Sequence, residues 1–176
     1  SSKLAIEWFN NILARTATEM NDLMGKYRIS EALMAVYKLF WDEFASWYLE
    51  IIKPAYGQPI DSKTYNSTLE FFEKLLLLIH PFMPFITEEL WQNVKERKAG
   101  ESIMNESIVE LSTAKYDEQI ITDFEACKEL VSSIRTVRNQ KNIGPREPLT
   151  IEVIGSNPIA ALNPIISKVA CLEDIL

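Results

Sequence analysis

SEALMAVYKLFWDEFASWYLEIIKP, Ser30 to Pro54, is the stretch on which the reading of this chain turns. Leu33, Val36, Tyr37, Phe40, Phe44, Trp47, Tyr48 and Ile51 recur at steps of three and four. That spacing puts them on one face of an α-helix. Ser30 is placed to accept an orphan backbone N–H at the helix start, and Glu31 suits the positive end of the helix dipole. Pro54 lacks an N–H and disfavours helical backbone at Lys53, so it marks the end. By this count five aromatic side chains (Tyr37, Phe40, Phe44, Trp47, Tyr48) face inward. A surface so apolar needs neighbouring helices to cover it.

The flanking sequence supplies them. Ser2 to about Met24 reads as a helix with a stripe of Ile6, Phe9, Ile12, Leu13, Ala17, Met20 and Leu23/Met24, ended by Gly25. The link Lys26-Tyr27-Arg28-Ile29 is short enough to imply antiparallel neighbours. After the loop AYGQPIDSKT, Asp61 or Ser62 caps a third helix with the stripe Tyr65, Leu69, Phe72, Leu75/Leu76 and Ile79. Pro81 stops it, and Pro84 opens a fourth helix, where its missing N–H costs nothing. Glu88 and Glu89 lie early in that helix, Arg97 and Lys98 at its end, and Gly100 is its expected stop. Residues 101–113 alternate weakly and suggest a short strand or extended link.

A helix is expected from Tyr116 to about Asn142, ended by Gly144-Pro145. Leu149, Ile151 and Val153 then alternate as a strand. Ile159 to about Val169 reads as helical with an interruption near Pro164, and Ile175-Leu176 as the entry to another strand. A lone strand is not stable by itself, so its sheet partners are expected beyond residue 176. The expected fold is mainly α: an antiparallel helix bundle over residues 1–112, then a small, truncated α/β segment, helix–strand–helix, over 113–176.

At 176 residues, 47% hydrophobic and 24% charged, the chain suits a soluble globular domain with a sizeable core. No run of eighteen apolar residues suggests a membrane span, and SSKLAIEWFNN lacks the charge pattern of a signal peptide. Cys127 and Cys171 are therefore expected as buried thiols and not as a disulfide. The net charge of −7 argues against a general nucleic-acid binder, although phosphate binding needs only a local basic surface.

Enzyme readings fare badly. The single histidine, His80, sits in the apolar context IHPFM and suits a structural hydrogen bond. No Cys/His cluster has zinc spacing, one histidine excludes a di-iron bundle site, and the five glycines form no phosphate loop. Asp42-Glu43 and Glu88-Glu89 diverge by about 100° on a helix, so neither works as an acid–base pair; both read as solvated or dipole-facing charges.

Binding residues are easier to find. Trp41 falls off the inner face, next to Lys38, and is the best candidate for an exposed aromatic. Lys26, Arg28 and Lys53 cluster near helix ends, within reach of phosphates. SSIRTVRNQKNIGPREP carries Arg135, Arg138, Lys141 and Arg146 with only Glu147 opposed. Arg135, Arg138 and Lys141 are spaced to share a face roughly, giving the one local positive patch in an acidic chain.

Three segments resemble a known family. LLLLIHPFMPFITEELWQ (75–92) and LFWDEFASWYLEIIKP (39–54) resemble the anticodon-binding domain of class I aminoacyl-tRNA synthetases for aliphatic amino acids. WYLEIIKP, and IRTVRNQKNIGPREPLTIEV (134–153), favour the valyl branch. The likeness covers nearly the whole chain in the family's order. It implies a cytoplasmic, non-catalytic fragment that binds the anticodon stem-loop of valine tRNA. It also implies attachment to a catalytic domain of the same full-length chain, with ATP used by the parent enzyme and no cofactor or membrane contact in this part. The resemblance leaves Lys26, Arg28, Lys38, Trp41, Lys53, Arg135, Arg138 and Lys141 as tRNA-binding candidates, and no catalytic or metal residue. The His-Ile-Gly-His and Lys-Met-Ser-Lys-Ser motifs of the family do not occur. A Trp-Pro pair expected in the family is replaced around Glu110-Leu111-Ser112, and the coiled-coil arm would begin beyond residue 176. The alternative is a helical protein–protein interaction module with no RNA role.

Overall fold

Apolar side chains at helical spacing organise the first element. In the computed structural model, which describes residues 1–176, helix α1 (Ser2–Gly25) buries Ala5, Trp8, Phe9, Ile12, Leu13, Ala17, Met20 and Leu23 along one side. Lys26 closes its end, donating its N–H to the carbonyls of Asp22 and Leu23, and Tyr27 turns the chain with a φ of 59°. The chain then returns antiparallel through α2 (Ile29–Lys38), a π-helical segment (Leu39–Tyr48) and α3 (Leu49–Ile52), which run on without a break.

That continuous rod differs from the expected stripe in an instructive way. The buried line is Ala32, Val36, Leu39, Phe44, Tyr48, Ile51 and Ile52. From Leu39 to Phe44 the step is five, the hydrogen-bond spacing of a π-helix and not of an α-helix. A straight α phase through Ala32, Val36 and Leu39 would have brought Glu43 inward. The π segment adds one residue of phase and brings Phe44 and Tyr48 inward instead. Leu33 and Tyr37, expected inside, are 41% and 55% exposed, and Phe40 and Trp47 are half-buried. Only two of the five aromatics are therefore fully enclosed. Ser30 does not cap the helix: Arg28 occupies that position without a side-chain bond, two residues before the expected cap. Lys53 is extended (ψ 122°) ahead of Pro54, as its proline neighbour requires.

Helix α4 (Ser62–Ile79) is capped by Asp61, whose carboxylate accepts the Thr64 N–H at 2.9 Å. It buries Thr64, Phe71, Leu75, Leu76 and Leu78, while Tyr65 faces solvent. Helix α5 (Pro84–Val94) has Pro84 in its first turn and ends six residues before Gly100. Arg97 and Lys98 therefore lie past the helix. The Arg97 guanidinium stacks 3.4 Å from the Trp91 ring centroid and pairs with Glu73. Residues 101–113 form no strand: a 3₁₀ turn (Ile103–Asn105) and the short helix α6 (Val109–Ser112) fold back on α5 and α1. Glu88 holds the first turn in place, accepting from Ser102 Oγ at 2.7 Å and the Ile103 N–H at 3.2 Å.

Helix α7 (Glu118–Gln140) starts two residues later than Tyr116 because Asp117 accepts the Gln119 N–H and caps it. Its buried residues Ile121, Phe124, Cys127 and Val131 pack on α1, with the Phe124 ring stacked 3.9 Å from that of Trp8. Strand β1 (Leu149–Ile151) is followed by a 3₁₀ turn (Ala160–Leu162), helix α8 (Asn163–Ala170) and strand β2 (Leu172–Ile175). The two strands pair in parallel, Ile151 opposite Ile175, with α8 as the crossover. One partner of β1 thus lies within the chain, where the sequence reading placed its sheet partners beyond residue 176. One apolar cluster runs from Ala5 on α1 to Leu172 on β2, so α7 and α8 share the core of the bundle.

Two cationic side chains fasten this last segment. Arg138, expected on a solvent-facing patch, is only 3% exposed. Its guanidinium donates to the carbonyls of Gly144 (2.9 Å), Glu147 (2.7 Å), Ala170 (3.0 Å) and Cys171 (2.8 Å). These include carbonyls at the end of α8 that no helical N–H can reach. Lys168 on α8 donates to the carbonyls of Ile51 and Lys53 at 2.6 and 2.7 Å, closing the C-terminal end of the long rod.

Arg138→Ala should leave these carbonyls, that of Ala170 buried, short of donors and cost roughly 2–5 kcal/mol of stability, read as a lower denaturant midpoint. Trp8→Ala, at a fully enclosed site, should cost roughly 3–5 kcal/mol. Hydrogen bonds from Thr64 hold the Asp61 carboxyl below its ordinary range. A depressed carboxylate stabilises the fold above its unfolded pKa and loses that contribution as pH falls through the folded value. Asp61→Ala should therefore lower the melting temperature at neutral pH and converge with the parent protein in acid.

Candidate nucleic-acid interface

The sequence candidates fall into two exposed groups, three paired cations near helix ends, and one interior residue. On the outer side of the long rod, Trp41 is 58% exposed, and Lys38, one α-helical turn earlier, is also exposed. Local backbone chemistry fixes Trp41: Ser46 Oγ donates to its carbonyl at 2.9 Å, across the five-residue spacing of the π segment. Lys38 enters no ion pair. Met34 and Tyr37, 52% and 55% exposed, lie on the preceding turns.

The cations near the helix ends are already paired. Lys26 Nζ is 2.7 Å from Asp22, and Lys53 Nζ is 3.6 Å from Glu50. Arg28 forks onto both carboxylate oxygens of Glu31, and that hydrogen bonding pulls the Glu31 carboxyl below its ordinary range. All three pairs are exposed. Solvated pairs of this kind are weak and exchange readily for another anion.

A groove of about 620 Å³ runs between α1 and the long rod. Its walls carry four carboxylates (Glu19, Asp22, Glu31, Glu43) against three cations (Arg15, Arg28, Lys38). That balance does not suit a polyanion. Glu43, expected as a solvated charge, is tied to α7: Lys128 Nζ lies 2.8 and 3.0 Å from its two oxygens and 2.8 Å from Glu125. Burial nonetheless raises the Glu43 pKa, with Lys128 opposing it.

The second group lies at the C-terminal end of α7. Arg135 and Lys141 are exposed. The Arg135 guanidinium sits 5.8 Å from the Trp47 ring centroid and donates to the Val169 carbonyl at 3.3 Å. Arg138 lies between them in sequence but points into the protein. The spacing of the three residues therefore did not describe one surface. What it missed is the set of carbonyls, six to thirty-three residues further on, that receive the Arg138 fork. Lys168 went unremarked for the same reason, since its acceptors lie 115 and 117 residues away.

The remaining reactive groups are structural. His80 Nδ1 is 2.7 Å from Thr87 Oγ1, joining the end of α4 to α5. Cys127 is buried, and burial pushes its thiol up to about 11. Cys171 is half-buried, not enclosed as expected, and no disulfide joins the two. No three His, Cys, Asp or Glu side chains converge as metal ligands, and no helix is long and apolar enough to cross a membrane.

Comparison with known proteins identifies the family. The family described as anticodon-binding domain of tRNA ligase matches residues 7–153. A valine–tRNA ligase of Phocaeicola vulgatus is 59% identical over 174 residues, covering 99% of this chain and 20% of the relative. A valine–tRNA ligase of Bacteroides thetaiotaomicron is 54% identical over 178 residues, with the same shares covered. One from Fusobacterium nucleatum is 34% identical over 184 residues, covering 98% of this chain and 20% of the relative. The chain thus spans about a fifth of the length of the curated relatives it matches. With the family match extending from α1 through β1, the chain belongs to the anticodon-binding domains of tRNA ligases.

Proposed function

We propose that this chain grips the anticodon stem-loop of valine tRNA and belongs to a cytoplasmic, ATP-dependent valine–tRNA ligase. The observation that carries the reading is the family match over residues 7–153, joined to the 59% identity with a valine–tRNA ligase. In this reading residues 1–112 form the bundle and 113–176 brace it. ATP use and adenylate formation belong to the catalytic domain of the same full-length chain.

The chemistry of the two exposed groups supports the assignment. Anticodon bases splayed out of their stack are recognised on aromatic faces, and their backbone by cations. Trp41 offers such a face, with Lys38 beside it. Arg135 and Lys141 supply a second cationic patch. Lys26, Arg28 and Lys53 reach phosphate by exchanging exposed carboxylate partners.

A specific observation also supports protein contact. Met83, Phe85, Ile86 and Leu90 near the start of α5 are 51%, 91%, 47% and 39% exposed. This apolar surface suits the catalytic domain of the parent protein. It is the best support for the alternative, a protein-docking module without an RNA role.

Binding to valine tRNA and to a non-cognate tRNA, measured at several salt concentrations, separates the two readings. The RNA reading expects affinity that falls steeply with salt and drops when the anticodon is substituted. Absence of binding at low salt favours the docking module. Trp41→Ala should weaken binding by roughly 1–3 kcal/mol and change stability by less than about 0.5 kcal/mol. A large loss of stability with unchanged affinity would remove Trp41 from the interface.

A further inference from the structure

Behind Arg135 the C-terminal end of α7 meets α8 across a cleft of about 360 Å³, lined by Arg135, Arg138, Asn139, Pro145, Val169 and Ala170. Two guanidinium groups and a carboxamide line it, and no carboxylate does. In a chain of net charge −7 that is an unusual concentration of donors. We propose that this cleft is a phosphodiester site, in which Arg135 and Asn139 hold one backbone phosphate of the bound RNA over the interior charge of Arg138. The proposal rests on the tRNA-binding reading and adds to it the site, the chemical group and a new residue, Asn139.

Three observations carry it. Arg138 is almost wholly enclosed, and its two terminal nitrogens take four carbonyls, yet its Nε–H has no partner. The charge is answered by carbonyl dipoles and by no carboxylate, so the cleft wall is left short of an acceptor. An anion in the cleft supplies the opposite charge that the buried cation lacks, acting across the wall and not through the enclosed Nε–H.

Arg135 stands at the rim in a prepared position. Its guanidinium lies over the Trp47 ring, and its single donation to Val169 leaves other N–H groups for a ligand. An arginine held in this way presents its fork to two phosphate oxygens with little further ordering. Asn139 follows Arg135 by four residues on α7, so both side chains rise from one helix face. Its carboxamide supplies a neutral N–H donor, the kind of group that positions a phosphate without repelling a neighbouring base.

The electrostatic balance also favours a single phosphate. The negative ends of α7 and α8 converge here, and Arg138 offsets that of α8 through the Ala170 and Cys171 carbonyls. The positive charge left over comes from Arg135, with Lys141 and Arg146 on the loop beyond. The one carboxylate of that loop, Glu147, is turned to accept the Gly144 N–H at 3.3 Å.

The experiment compares the chain with an Arg135→Ala/Asn139→Ala variant in binding to valine tRNA across a salt series. The proposal expects about a tenfold loss of affinity. It also expects a slope of log affinity against log salt that is shallower by about one. Both exchanged residues are exposed, and an unchanged melting temperature establishes that the variant is folded. If the parent chain binds with its salt dependence and the variant matches it, the cleft is rejected while the tRNA reading stands. If the parent chain does not bind at all, both fall together.

A second readout follows the ¹⁵N–¹H signals of the Arg135 and Arg138 Nε groups. A saturable shift with the anticodon stem-loop and none with inorganic phosphate assigns the site to RNA backbone. Shifts with both support the phosphate chemistry and show that free phosphate also enters. No shift of either signal with either probe overturns the proposal, whatever the affinity of the variant.

Discussion

The Phe9 ring is where the helices of this protein are held together. It lies 4.9 to 5.9 Å from the rings of Trp8, Phe44, Tyr48 and Phe71, which come from α1, the π segment and α4. Trp8 then stacks on Phe124 and brings in α7. Aromatic groups bury large areas and favour tilted or offset contacts, so such a cluster constrains angles as well as distances. Four elements must present rings to one place, and every other feature of the long rod is fitted to that demand.

The π segment is the clearest consequence. Ala32, Val36 and Leu39 on one side of it, and Phe44, Tyr48 and Ile51 on the other, all belong to the core, but no single α phase can bury both sets. One extra residue of phase reconciles them. The same rotation turns Glu43 sideways, to Lys128, and leaves Trp41 on the outer surface. The position of the candidate stacking residue is thus set by packing on the opposite side of the rod. Interior and interface are two faces of one geometric solution.

Charge is used differently at the two ends of the molecule. Along α1 and the start of the rod, exposed cations sit beside carboxylates and are available to exchange partners. At the end of α7 the cations meet carbonyls. Arg138 joins two helix ends and a loop, and Lys168 closes a third helix end, so the C-terminal segment is fastened by cations answered mostly by peptide dipoles. This arrangement gives the region its local positive character within an acidic chain, and it keeps α8 and the small parallel sheet in place against the bundle.

Much of this was legible in the sequence. Helix identity, the stops at Gly25, Pro54 and Pro81, the caps at Asp61 and Pro84, the strand at Leu149 and the exposure of Trp41 all follow from local rules: spacing, missing N–H groups and side chains that bond their own backbone. The family resemblance carried in residues 39–54, 75–92 and 134–153 agreed with the later comparison. Tertiary structure alone decided the phase of the long rod before Phe44, the burial of Arg138, the role of Glu88 and Glu43 as partly buried fasteners between elements, and the pairing of β1 with β2. Each of these depends on partners many residues away. A one-residue change of helical phase is invisible to a periodicity of three and four, and an arginine reads as a surface charge until the carbonyls that receive it are in place.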